Sequence, residues 1–140
     1  MLIVRGCLIK IDMRRIAFFI LSLVTVAIAF AAGGAKLDFS TTKHDFGTIH
    51  ADKGPVTCEY KFTNTGTEPL IIISVTNGGC GCTKPDYPKE PIAPGKSGVI
   101  KIHFNPSGRQ GEFRREVRVK SNAPGKGRAR LEFSGVIIPK

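Results

Sequence analysis

The sequence predicts an all-β protein: an immunoglobulin-like β-sandwich of about seven strands, preceded by an N-terminal signal-peptide helix. Three observations carry this expectation. Apolar residues alternate with polar ones at period two in several short runs. Clusters of Gly, Pro, Asn and Ser separate those runs. After the apolar leader, no stretch shows helical periodicity.

The leader comes first. Arg14 and Arg15 precede an uncharged apolar run of 17 residues, Ile16 to Ala32. Its small-residue exit, Ala27-Ile28-Ala29-Phe30-Ala31, matches a secretory cleavage pattern. Cleavage is expected after Ala31, with Ala29 as the alternative site and Met13 as an alternative start. An uncleaved anchor is the competing reading, at the short edge for crossing a bilayer. No cysteine sits just after the run, which argues against a lipid anchor, and Cys7 leaves with the leader. The domains are therefore 1–31, a signal peptide, and 32–140, a single immunoglobulin-like domain of 109 residues. The expected location is exported, in the periplasm or at the cell surface.

Short strands at Leu37–Phe39 and His44–Ile49 lead the domain. After Gly54-Pro55, Val56, Cys58, Tyr60 and Phe62 point to one face and Thr57, Glu59, Lys61 and Thr63 to the other. Asn64-Thr65-Gly66-Thr67-Glu68-Pro69 is a turn by composition. Leu70–Val75 is an apolar, β-branched run, read as a strand covered on both faces. Ile100, Ile102 and Phe104 face inward, as do Phe113, Val117 and Val119, and then Ala129, Leu131 and Phe133. Turns at Pro94–Gly98, Asn105–Gly108 and Ser121–Gly125 separate these strands. The segment Asn77–Gly95 carries Pro85, Pro88, Pro91 and Pro94, and is read as a functional loop whose backbone stays outside the ladders.

At the start of that segment lies the motif Gly79-Cys80-Gly81-Cys82-Thr83. Two sulfurs two residues apart suit three chemistries. The first is a structural pin, favoured by an oxidising compartment. The second is a soft-metal site for copper or zinc, which His44, His50 or His103 would have to complete. The third is thiol–disulfide exchange, although the spacing is not Cys-x-x-Cys. Cys58 leaves an odd number of thiols in the domain. It is read as a buried thiol, with a bond to Cys80 or Cys82 as the alternative.

Several segments together resemble a known family. They are Asn64-Thr65-Gly66, Pro69-Leu70, Gly79-Cys80-Gly81-Cys82-Thr83, Pro91-Ile92-Ala93-Pro94-Gly95-Lys96-Ser97-Gly98, Phe104-Asn105-Pro106 and Gly108-Arg109. The chain is similar over Leu37–Ile138 to the bacterial domain of unknown function family 1573. That family resembles the immunoglobulin-like domains of the abnormal-spindle and hydin group and, more distantly, major sperm protein and pilus-chaperone domains. The resemblance implies a secreted sandwich used for binding or scaffolding. It implies no catalytic mechanism and no cofactor.

Charge adds a candidate surface. The chain carries a formal +10, of which +7 lies beyond the leader. Residues 96–140 hold net +8, while residues 32–95 hold net −1. Arg114, Arg118, Lys120, Arg128 and Arg130 form a basic face, either a solvated strand face or a contact for an envelope protein or an anionic surface. Nucleic acid is disfavoured by export and by the lack of a binding motif. Gly95-Lys96-Ser97 lacks the earlier glycine of a phosphate loop, and His44-Asp45 has no Gly-x-Ser-x-Gly partner. The expected function is an exported, non-enzymatic binding or scaffolding module of the envelope. The rivals are a metal or redox protein using Cys80 and Cys82, and a pilus-chaperone-like strand-exchange module.

Overall fold

The computed structural model describes residues 33–125 and 127–140. The expected leader, 1–31 with its cleavage site, lies outside the described residues. The described residues contain eight strands and no helix. They are β1 (Leu37–Phe39), β2 (Lys43–His50), β3 (Val56–Asn64), β4 (Ile72–Thr76), β5 (Thr83–Asp86), β6 (Ser97–Phe104), β7 (Gly111–Ser121) and β8 (Arg128–Ile138). One sheet has the order β1-β3-β6-β5 and the other β2-β8-β7-β4. Neighbours are antiparallel except β2, which runs parallel to β8.

The alternation read from the sequence sets the inner faces. On β3, Cys58, Tyr60 and Phe62 are buried while Thr57, Glu59 and Lys61 are exposed. Ile100, Ile102 and Phe104 on β6, Val117 and Val119 on β7, and Leu131 and Phe133 on β8 complete the core. Phe133 contacts the rings of Phe46, Phe104 and Phe113. The Tyr60 hydroxyl donates to the Glu132 carbonyl at 2.7 Å. Gly98 sits opposite Phe62 in the β3–β6 register. A Cβ there would lie 2.5 Å from Phe62 Cζ, so the ring occupies the space that only a glycine leaves.

The turn after β3 is organised by Asn64, which is fully buried. Its Oδ1 accepts from the amides of Lys36 and Gly66 at 3.2 and 3.0 Å. Its Nδ2 donates to the carbonyls of Glu68 and Ile92 at 2.7 and 2.9 Å. One carboxamide thereby ties the N-terminal segment, the 64–69 turn and the 91–95 segment together. Gly66 is required because a Cβ would collide with the backbone of Gly34–Lys36.

Two expectations are corrected. Leu70–Val75 is not a strand covered on both faces. Leu70 forms only a bridge with Ile92, and β4 begins at Ile72 on the edge of its sheet. No layer covers the outer side of that edge, so Ile71 and Ile73 are 39% and 51% exposed. The 77–95 segment also joins a ladder after all: β5 pairs with β6, placing Pro85 opposite Ile102. An edge strand bonds along only one side, so it tolerates a residue with no amide hydrogen. This strand raises the count from about seven to eight.

Candidate functional site

The cysteine motif spans the connection from β4 to β5, where the chain crosses between sheets. Asn77 builds the crossing. Its Nδ2 donates to the carbonyls of Cys80 (2.7 Å) and Thr83, and its Oδ1 accepts from the Gly79 amide at 3.1 Å. This is an Asx-type turn, in which the side chain replaces a backbone partner. Gly78 and Gly79 then take φ of 70° and 91°, which a side chain would resist. The Thr83 amide closes the turn on the Cys80 carbonyl at 3.3 Å. The Asn105 amide holds the Cys82 carbonyl at 2.8 Å.

Cys80 and Cys82 are joined as a disulfide, with Cα atoms 5.3 Å apart. Arg109 points its Nη2 at Cys80 Sγ, 3.7 Å away. Cys82 Sγ lies 3.6 Å from the hydroxyl of Thr83, which is buried. Beside Cys82 opens a cleft of about 190 Å³, lined by Pro55, Gly81, Cys82, Lys84, His103 and Asn105. The His103 Nδ1 is 2.8 Å from Thr57 Oγ1. The surroundings of the disulfide are thus basic, and no acidic side chain lines the cleft.

Cys58 takes no part. It is a free thiol, 3% exposed on the inner face of β3, so the alternative of a bond from Cys58 to Cys80 or Cys82 is corrected. The alternation that buries Cys58 points its sulfur into the core, away from the loop. Burial pushes its thiol up from the usual cysteine range, which keeps it protonated and inert. Burial likewise pushes the Tyr60 hydroxyl up, with Cys58 and Glu132 adding to the effect. Among the described residues, no group of three or more His, Cys, Asp or Glu is placed to hold a metal ion. His103 alone of the three histidines lines the cleft at Cys82.

The basic residues do share one surface, the outer face of the β4-β7-β8 sheet. Register sets Arg118 directly opposite Arg130, and Lys120 directly opposite Arg128. Glu116 bridges Arg118 and Arg130 at 3.5 and 3.6 Å, and Glu132 meets Arg114 at 3.5 Å. Lys120 and Arg128 enter no ion pair among the described residues. Arg118, Lys120, Arg128 and Arg130, with Ser74 and Thr76, line a groove of about 410 Å³.

Sequence reasoning isolated the cysteines and the basic strands. It missed Asn77, Arg109 and Lys84 as neighbours of the disulfide, and named His103 only as one of three histidines that could complete a metal site. Only Asn77 carried a signal, as an Asn before Gly-Gly, the composition of a side-chain-closed turn.

Comparison with solved structures places the fold. A protein of unknown function from Porphyromonas gingivalis W83 superimposes with a TM-score of 0.60 at 22% identity. The match covers 74% of this chain and 46% of that one, so this chain spans less than half of that relative's length. The ASH / PapD-like domain of human CEP192 gives a TM-score of 0.56 at 13% identity, over 75% of this chain and 87% of that domain. The YadV chaperone gives 0.51 at 18% identity, over 72% and 51%. At these identities the likeness establishes the PapD-like, immunoglobulin-like sandwich alone. No curated protein matches the sequence. The family described as protein of unknown function (DUF1573) matches residues 37–137, and the chain belongs to that family.

Proposed function

We propose that the chain is an exported binding module that docks the outer face of its β4-β7-β8 sheet on an anionic lipid surface. One observation carries this reading: the cross-strand pairs Arg118–Arg130 and Lys120–Arg128 set like charges face to face. Like charges directly opposite destabilise a sheet; Glu116 offsets this for Arg118 and Arg130, whereas Lys120 and Arg128 face each other without an ion pair among the described residues. A layer of phosphate groups reverses the sign of that effect, and the arginine fork binds phosphate through two parallel hydrogen bonds. Ile71 and Ile73, exposed around the start of the edge strand that supplies Ser74 and Thr76, add apolar contact with the headgroup boundary. The role is binding rather than catalysis.

Vesicles of phosphatidylglycerol and phosphatidylcholine should retain the protein in a flotation assay, and high salt should release it. Each basic group at an anionic surface is worth about 1 kcal/mol. Combined Arg118→Ala, Lys120→Ala, Arg128→Ala and Arg130→Ala should therefore weaken retention at least roughly 100-fold while the protein stays folded by circular dichroism. Equal retention on pure phosphatidylcholine, or by the quadruple variant, overturns the reading. Retention by an acidic protein or glycan with none on the vesicles does so as well.

Export supplies a separate test. Amino-terminal sequencing of the protein recovered from the envelope should begin near Ala32. A species that retains Ile16 would show that the apolar run is an anchor.

A further inference from the structure

We infer that the Cys80–Cys82 disulfide is a reversible thiol–disulfide site that exchanges with dithiol partners. Four observations converge on this. The surroundings are cationic on both sides: Arg109 reaches Cys80 Sγ at 3.7 Å, and Lys84 shares the cleft with Cys82. Cationic neighbours favour the thiolate, the form that attacks and leaves in exchange chemistry.

The bond is also accessible. Both cysteines are half-buried, and a side-chain carbon at Gly78, Gly79 or Gly81 would meet nothing within 4 Å. The three glycines beside the cysteines therefore face open space.

The backbone around the sulfurs is held by other groups. Asn77 fixes Cys80 and Thr83, and Asn105 fixes Cys82. Opening the disulfide therefore removes no support from the turn. Finally, the cysteines are only two residues apart, so the bond constrains very little of the unfolded chain. A pin placed for stability would close a longer loop.

The chemistry balances as a two-electron exchange. A thiol of the dithiol gives its proton to solvent on entering the cleft, and the resulting thiolate attacks Cys82 Sγ. A mixed disulfide to Cys82 forms, the Cys80–Cys82 bond breaks, and Cys80 leaves as a thiolate beside Arg109. The partner's second thiol then attacks the partner's own sulfur in the mixed disulfide and releases Cys82. The dithiol ends as a disulfide, and its two protons pass to Cys80 and Cys82 or to solvent. The reverse sequence oxidises a dithiol partner. Arg109 acts as a positioning residue, through Cys80.

This inference is independent of lipid docking, and its test uses no lipid. The full chain is equilibrated with mixtures of reduced and oxidised dithiothreitol, quenched with acid, alkylated and weighed. Cys80 and Cys82 should cycle together between disulfide and dithiol without denaturant, with Cys58 unlabelled in both states. The reduced form should keep its β-sheet circular dichroism. Arg109→Gln should slow reduction about threefold to tenfold and shift the equilibrium toward the disulfide, and Arg109→Lys should restore part of both. A bond reducible only in denaturant overturns the inference. So does loss of the sheet signal on reduction, or a rate and equilibrium unmoved by Arg109→Gln.

Discussion

Phe62→Ala should lower the unfolding free energy by about 3–5 kcal/mol, the range for emptying a fully buried aromatic site. Phe62 is wholly buried, packs against Phe39 at 5.8 Å between ring centroids, and lies over Gly98. The cavity cannot refill from Gly98, which has no side chain to move into it. Urea titration should show the midpoint falling with an unchanged slope. A change below about 1 kcal/mol would show that the ring is not the keystone of this layer, since large effects accompany sites that cannot collapse.

Asn64→Ala should be nearly as severe. The substitution strips two amides and two carbonyls of their partner around a fully buried side chain in a partly buried turn. A buried polar group left unpaired costs about 1–3 kcal/mol, and partial entry of water reduces the sum to about 3–4 kcal/mol. Asn64→Asp provides the sharper comparison. It keeps the acceptor for Lys36 and Gly66 but turns a second oxygen toward the carbonyls of Glu68 and Ile92. At neutral pH it should be at least as destabilising as alanine, because a buried charge then faces two acceptors. If Asn64→Asp matches the wild type in urea, the donated hydrogen bonds are not what anchors the turn.

Asn64 also shows how far the sequence could be read. Asn-Thr-Gly after a strand announces a turn. Nothing in that triplet says that the Asn side chain will bind Lys36, 28 residues back, and Ile92, 28 residues on. Composition marks where a chain turns, but the partners of a buried amide depend on which segments the fold brings near it. The same holds for Arg109, 29 residues from the Cys80 sulfur it faces.

Edges were the other difficulty. The Ile71-Ile72-Ile73 run reads as buried because its residues are β-branched and apolar, yet two of the three are exposed. Pro85 argues against a strand, yet it sits in β5. In both cases the deciding fact is a strand's position within its sheet. An edge strand lacks a neighbour on one side, which both uncovers its outer residues and relieves it of half its hydrogen bonds.

The sequence by itself determined the all-β class, the inward residues of β3, β6, β7 and β8, and the cysteine motif and basic strands as candidate surfaces. These properties follow from period-two alternation and turn composition, which are local. Tertiary structure alone decided that Cys80 bonds to Cys82 while Cys58 stays free in the core. It alone set Arg118 against Arg130 and brought Arg109, Lys84 and His103 to the disulfide. These depend on strand register and on crossings between sheets, which place residues far apart in the chain within a few ångströms of each other.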